Sequence, residues 1–579
     1  MACQAQATCS LVRRAAVTFI LVFSTISTVY DYFGVFGNSE EVYYMYDADK
    51  LDALDYLQDF RAGADGPVQI YLSQLWADRH ATVHLLRKGM AIKALDTSDT
   101  IVLPPPDQGA IYAFPSEQID RARRTAQIWP DVEAEPVLDR FGQTLLSNVV
   151  LSAPLAEEWP ADYRPEQTRV AHFSEAPTLL GMSADEQNGD IWLFWRGDSP
   201  MPRDLTSFVH LLDIDNRRIG QTDKLPGNGS YPTTDWTPGE RVIDRYQPWL
   251  DDLCAGGEQV RVQVGWYEYA EENARRPRAD GPGDSALAGY MTLPLASYPR
   301  ERFYPSKPME TALDPELWMM GHDLYADGFQ AGSPLLVDLY LLSQLNADSP
   351  TDRRLALRVA NADGEYLLWE GEIAPDARWE EGEAICRRLR LRLPAAIEPG
   401  TYRLEVLPID REGDPLLLEE IVVGDSTRRF DLPEVLFPIN ATLVDATDGS
   451  GQVSLVGVES IDHGASEDQF VVTLVWHARA TPQNSYKVFV HLTDENGQIV
   501  AQSDAIPGQG YASNRWISGE VVTDAHVLTV PPGTPPGAYS LLAGMYDPIS
   551  GRRLDAFDTN ASEIADGAIP LGRLTWPME

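Results

Sequence analysis

The chain has 579 residues, 44% of them hydrophobic and 23% charged, which is the composition of folded globular protein and, by length, of about four domains. Its 46 basic residues against 87 acidic ones leave a net charge of −41, which repels phosphate backbones and excludes nucleic-acid binding. The four cysteines, Cys3, Cys9, Cys254 and Cys386, form no C-x-x-C pair, so the spacing predicts no zinc knuckle, no dithiol redox site and no disulfide framework.

The N-terminus carries Arg13-Arg14 and then an uncharged run from Ala15 to Tyr30, followed by Asp31-Tyr32-Phe33. Sixteen helical residues reach about 24 Å, marginal for a bilayer core of about 30 Å, with Tyr30, Tyr32 and Phe33 as interface anchors. A single membrane span is the favoured reading. A cleaved signal and a buried core helix are the alternatives, the first weakened by a poor small-x-small site at Thr25-Ile26-Ser27. The basic pair places Met1 in the cytoplasm and everything after Phe36 outside. Cys3 and Cys9 precede the apolar run, unlike the acylated cysteine of a lipoprotein signal.

From 37 to about 130 helix and strand signals alternate, as in a compact α/β domain with a mixed sheet. Leu51, Leu54 and Leu57 mark a helix over 48–60, 77–88 reads as a second helix, and 68–72, 100–104 and 110–114 read as strands. His80 and His84 stand one helical turn apart, but no glutamate follows His80 as H-E-x-x-H requires, and a satisfied pair is the expected reading.

The strongest signal is an internal repeat. Residues 208–223, opening Phe208-Val-His-Leu211, align without a gap on 489–504, opening Phe489-Val-His-Leu492, and the match continues through Pro226-Gly227, Tyr231, Trp236, Gly239-Glu240 and Asp244 onto Pro507-Gly508, Tyr511, Trp516, Gly519-Glu520 and Asp524. Upstream, Trp195 matches Trp476, and Leu179-Leu-Gly181 answers Leu455-Val-Gly457. A diverged copy lies between them, marked by Trp379-x-x-Gly382-Glu383, Met319-Met-Gly321 and Pro399-Gly-Thr-Tyr402, the last mirroring Pro536-Gly-Ala-Tyr539. Short strands, turn signals and proline-rich links such as 530–537 predict an antiparallel β-sandwich for each copy. The expected architecture is therefore mainly β: 1–36 a cytoplasmic tip and membrane helix, 37–130 a small α/β domain, and three tandem sandwiches over 131–300, 301–430 and 431–579.

Tyr231, Trp236, Tyr511 and Trp516 are the candidate ligand-binding residues, because an aromatic face beside an acid suits a sugar. For the two tryptophans, packing across the sandwich is the stronger expectation; the tyrosines sit in loops, where function concentrates. His210 and His491 are expected half-buried in their strands. Asp213/Asp494 and Asp223/Asp504 either cap the hairpins or bind calcium weakly. Neither a Ser-His-Asp elbow nor a distinctive catalytic carboxylate pair stands out, and the reading expects no catalytic residue, no cofactor and no metal.

Tyr32-Phe33, Glu41-Val-Tyr-Tyr44 and Tyr46-Asp-Ala48 after an apolar span, with Phe489-Val-His-Leu492, Pro507-Gly508, Trp516-x-x-Gly-Glu520 and Gly544-Met-Tyr-Asp-Pro548 followed by Gly551-Arg-Arg-Leu554, carry a family likeness. They resemble the C-terminal extracytoplasmic region of bacterial polytopic membrane glycosyltransferases related to the dolichyl-phosphate-mannose protein mannosyltransferases. The resemblance implies sugar transfer from a polyprenyl-phosphate donor by a multi-span domain that this sequence does not contain. The expected protein is a single-pass, extracytoplasmic chain, non-catalytic in itself, that binds glycan or an envelope partner. The alternative is a subunit or fragment of a glycosyltransferase whose catalytic membrane domain lies on another chain.

Overall fold

The computed structural model describes residues 2–270, 273–281, 283–344, 354–373, 381–409, 414–445 and 452–578. A helix over Ala2–Val29 continues through the helical turns Tyr30–Val35 and Phe36–Asn38. Its apolar part, Arg13–Asn38, has a mean hydropathy of 1.5, and none of it is buried against the rest of the chain. That excludes the core-helix reading. Length and composition fit a membrane anchor and a signal sequence alike, since 26 helical residues reach about 39 Å.

The α/β unit follows. The helix Ala48–Gly63 turns Ala53, Leu54 and Leu57 inward while Leu51 stays exposed, so the predicted apolar stripe is narrower than its spacing implied. A shorter helix, Ala81–Arg87, packs Val83. The strand Val68–Ser73 pairs in parallel with Ile92–Leu95 on one side and Gly109–Pro115 on the other. Antiparallel pairing then carries the sheet through Thr144–Leu151 to Ala134–Leu138. Two expectations are corrected here. The unit extends to Leu151, past residue 130, because these last two strands complete its sheet. Thr100–Leu103 is a strand, but it pairs with Arg241–Asp244 of the first sandwich and not within the α/β sheet. An apolar four-residue run between turn residues fits either sheet equally well.

Three eight-stranded sandwiches come next. The first uses Gln167–Ala171, Thr178–Asp185, Asp190–Arg196, Thr206–Leu212, Arg218–Lys224, Arg241–Tyr246, Gln259–Glu268 and Ala286–Thr292. The second uses Lys307–Asp314, Leu317–Tyr325, Pro334–Ser343, Arg354–Ala360, Glu365–Glu372, Glu383–Arg392, Gly400–Pro408 and Leu416–Val423. The third uses Phe437–Val444, Val453–His463, Gln469–Ala478, Lys487–Thr493, Ile499–Ala505, Val521–Thr529, Gly537–Tyr546 and Ile569–Trp576. Counted along the chain, every copy has the same topology: strands six, three, two and one form one antiparallel sheet, and five, four, seven and eight the other. Identical order in all three, the diverged middle one included, is what duplication of one module produces. Copies two and three each close an apolar core between their sheets, that of copy one is continuous with a face of the α/β unit through Tyr71, Tyr112 and Val149, and Trp195 and Trp476 are fully buried at matched positions.

The repeated glycines have a backbone reason. Gly181, Gly321 and Gly457 each sit at a register shift in the second strand. There a Cβ would lie closer than 3.0 Å to a carbonyl oxygen of the first strand, that of Gln167, Lys307 or Phe437. The edge at strand six is covered every time by the preceding segment: by Thr100–Leu103 in the first copy, by Tyr298–Pro299 in the second, and in the third by the Arg429 carbonyl accepting from the Val521 amide. Covering an edge removes a row of unpaired backbone groups that would otherwise recruit other strands.

Copies one and two are joined covalently. Cys254 and Cys386 form a disulfide, with Cα atoms 4.7 Å apart, across a sequence separation of 132. This corrects the expectation of no disulfide, which rested on local spacing and was blind to a pair brought together by the fold. Beside it Arg388 makes a two-pronged pair with Asp338, at 2.8 and 2.6 Å, and reaches Asp252 of the first copy at 2.6 Å. The first and third copies meet where Arg261 donates to Asp547 at 3.0 Å.

Candidate functional site

The repeated Tyr, Trp and Gly-Glu form one small device, built by backbone geometry. Gly239, Gly382 and Gly519 hold φ of 92°, 83° and 86°, a left-handed conformation that a side chain disfavours. Their amides donate to the carbonyls of Gly197, Ser343 and Ala478 at 2.7, 3.0 and 2.7 Å, tying the turn to the end of strand three. The next residue, Glu240 or Glu520, points back under the turn and accepts from its backbone, from Thr237 at 2.7 Å or Ile517 at 3.0 Å. Trp236 and Trp516 each donate their indole N–H to the carbonyl of the loop tyrosine, Tyr231 or Tyr511, at 3.1 Å in both cases. Trp379 and Glu380 of the middle copy lie outside the described residues; Glu383 there accepts from the Ser297 hydroxyl.

What completes the device comes from outside the copy. In the first sandwich the Glu240 carboxylate takes Lys93 at 2.6 Å and Tyr71 at 2.8 Å, both from the α/β unit, and Tyr231 at 2.8 Å. Lys93 also donates to the Tyr231 hydroxyl at 3.0 Å and to Thr237 at 2.7 Å. Tyr231 is fully buried and Trp236 is 3% exposed. Burial and then the Glu240 charge push the Tyr231 phenol well up, and burial pulls the Lys93 ammonium down against that same charge. In the third sandwich Arg428, from the segment after the second copy, pairs with Glu520 and with the Tyr511 hydroxyl, and donates to the Gly332 carbonyl at 3.0 Å. Trp516 is fully buried. Tyr511 is half-buried, its phenol pushed up to about 12 by burial and by Glu520.

These positions bear out the packing role favoured for Trp236 and Trp516, remove their ligand-binding alternative, and correct Tyr231 as a ligand candidate. Tyr231, Trp236 and Trp516 offer no face to a ligand, because each is packed inside a socket into which a neighbouring segment inserts a donor. Tyr511 alone of the four borders open space. The sequence reading missed Lys93, Ser297 and Arg428, which lie outside the strands of the copies and carry no repeat signal. The glutamates were visible in the W-x-x-G-E match.

The other candidates find ordinary partners. Asp213 and Asp494 cap their hairpins, accepting from the amides of Asp215 and Arg217 at 3.0 and 2.8 Å, and of Asn496 and Gln498 at 2.9 and 2.8 Å. Asn361 does the same in the middle copy, taking the amides of Asp363 and Gly364. Asp244 and Asp524 hold the Pro-Gly loops through the amides of Gly227 at 3.2 Å and Gly508 at 2.9 Å. His210 and His491 pack on Phe208 and Phe489, ring centres 4.7 and 4.8 Å apart, and burial lowers both below their ordinary pKa. His80 and His84 lie beside different acids, Asp47 at 3.3 Å and Asp78 at 3.6 Å, so they do not converge. Among the described residues one trio, Cys254, Asp338 and Cys386, has metal-ligand spacing. Its sulfurs are spent on the disulfide and Asp338 on Arg388.

A cavity of about 1130 Å³ lies where the three sandwiches meet. Asp215 of the first, Tyr325 and Arg392 of the second, and Tyr511 and Asn514 of the third line it, with Arg428 between. A second cavity of about 530 Å³ adjoins it and shares Tyr325 and Leu336 as a wall.

No family model and no curated protein matches the chain. Among solved structures, Salmonella α-2-macroglobulin reacted with methylamine is 11% identical over 71% of this chain, which spans 23% of that chain's length, at a TM-score of 0.13. A marsupial T cell receptor is 9% identical, covering 70% of this chain and 99% of its own, at 0.14. The Escherichia coli adhesin FdeC is 12% identical, covering 67% and 99%, at 0.18. At such scores the likeness carries no functional argument. The chain is thus a multi-domain, β-rich protein with an N-terminal apolar helix, an α/β unit and three sandwiches of one topology.

Proposed function

We propose that the chain is anchored in a cell membrane by its N-terminal helix, lies otherwise outside the cytoplasm, and binds glycan without performing chemistry of its own. The observation that carries this reading is the Cys254–Cys386 disulfide, downstream of an unburied apolar helix that comes after Arg13-Arg14. Disulfides persist in oxidising compartments, which is where such a helix delivers the residues after it. The sockets add to it: donors inserted into each copy from the preceding segment make the sandwiches one braced head instead of beads on a flexible string. A second reading, docking onto a polytopic membrane glycosyltransferase, is favoured by the resemblance at Phe489-Val-His-Leu492 and Trp516-x-x-Gly-Glu520.

The test is membrane fractionation of cells expressing the full chain, with protease treatment of intact cells and non-reducing peptide mapping. The reading expects membrane-bound protein that alkaline carbonate does not extract, proteolysis from outside, and a 254–386 linked peptide. Carbonate-extractable protein, or free thiols at both cysteines in freshly alkylated cells, would contradict it.

A further inference from the structure

The charge of the cavity between the three sandwiches is opposite to that of the molecule. Five arginines line it: Arg390, Arg392, Arg428, Arg429 and Arg515. Three acids face them, Asp215, Asp327 and Glu520, in a chain whose acids outnumber its bases 87 to 46. Three of the arginines are neutralised: Arg428 by Glu520, Arg515 by Asp327, and Arg390 by Glu258 at 2.5 Å and Asp215 at 2.9 Å. The remaining two have no carboxylate partner among the described residues. Arg392 donates only to the carbonyls of Gly332, Arg515 and Asn514, at 2.9 to 3.1 Å, and Arg429 only to that of Asp431. Burial, and next the neighbouring Arg428 guanidinium, destabilise the Arg392 charge, against smaller support from Tyr511 and Glu520. A partly enclosed arginine with no carboxylate partner of its own gains when an anion enters.

Polar and aromatic groups complete the cavity. Asn514 directs its amide to Asp215 at 2.8 Å. Tyr325, 51% exposed, stands at the wall common to both cavities. At about 1130 Å³ the main cavity exceeds the roughly 300–1,000 Å³ of small-molecule sites, and the adjoining space lengthens it past Tyr325. That shape suits a chain of rings more than a single ion.

We propose that this cleft binds an acidic polysaccharide segment, with Arg392 and Arg429 holding sugar carboxylates and Tyr325 stacking on a ring face. The planar guanidinium fork matches a carboxylate, and the local excess of arginines over acids in the cleft favours an acidic ligand against the repulsion of the −41 chain. The inference deepens the glycan-binding reading above and rests on it.

The experiment is isothermal titration of the full-length protein in detergent micelles with oligogalacturonate, maltohexaose and inorganic phosphate. Oligogalacturonate is expected to bind, more weakly as salt rises, and maltohexaose is not. Arg429→Gln and Tyr325→Ala, both at exposed side chains, should each weaken binding roughly tenfold, and Arg392→Gln at least as much. Equal binding of the neutral and acidic sugars would overturn the proposal, as would Arg429→Gln and Tyr325→Ala both binding like the wild type. Phosphate displacing the oligosaccharide at equal concentration would reduce the cleft to a simple anion site and likewise overturn it. If none of the three probes binds while the chain fractionates as an outward-facing membrane protein, the cleft assignment fails and the location stands.

Discussion

The first and third sandwiches use the same Tyr, Trp and Gly-Glu for the same internal bonds, yet one socket is sealed and the other borders a cleft. In the first, a folded unit packs over the loop, and Tyr231 and Glu240 lose all contact with solvent. In the third, a linker arginine fills the same place, and Tyr511 remains at a cavity wall. The repeated residues therefore define a receptacle, and the segment that enters it decides whether a surface is left over.

The largest effect expected from breaking this pairing is at Glu240. Four donors converge on it, so Glu240→Ala leaves the nearly enclosed Lys93 without its carboxylate and the Tyr71 and Tyr231 O–H groups without their acceptor, at a cost of about 3–5 kcal/mol. Urea denaturation should show Glu520→Ala costing less, since its socket keeps Tyr511 near water. Equal losses would say that the sealing unit adds nothing. Reduction of Cys254–Cys386 comes next, at about 2–4 kcal/mol. It should lower the melting temperature of the first two sandwiches more than that of the third.

Glycine substitution sharpens the comparison further. Gly519→Ala meets only Phe430, at 3.8 Å, so its penalty is the left-handed backbone alone, about 1–2 kcal/mol. Gly239→Ala adds a clash with Pro106 at 2.9 Å and should cost measurably more by the same assay. The smallest effect is that of pH. Burial lowers the pKa of His210 and His491 below 6.5, so the unfolded chain takes up these protons first. Their contribution to stability is complete above about pH 6.5 and is lost as pH falls toward the folded-state values. Melting at pH 7.5 and 5.5 should show that drop, and His210→Gln with His491→Gln should flatten it.

The repeat, and with it the sandwich class of two thirds of the molecule, was legible because close packing preserves the residues that set it: Gly181 and Gly457 at their bulges, Trp195 and Trp476 in their cores, Gly239 and Gly519 in their turns; the strand order was not, since it depends on which distant strands pair. The aromatic loop was legible as a motif, and packing was the stronger expectation for its tryptophans; what the motif did not show is that Tyr231 is enclosed as well. Whether a tyrosine faces a ligand or a lysine depends on Lys93, 138 positions away in the chain, and no local pattern encodes that distance. Thr100–Leu103 and the cysteine pair failed for the same reason, since each takes its meaning from a partner more than a hundred residues distant. The cleft is a property of three surfaces together, and its arginines are scattered among the acids along the sequence.

The claim that the repeated loop is a receptacle for the preceding segment is tested most directly by a double-mutant cycle on Lys93 and Glu240, measured by urea denaturation of Lys93→Met, Glu240→Gln and the double variant. A coupling of about 1–3 kcal/mol is expected for a buried pair at 2.6 Å. Additivity within about 0.3 kcal/mol would mean that the two side chains do not meet, and the account of the sockets would be wrong.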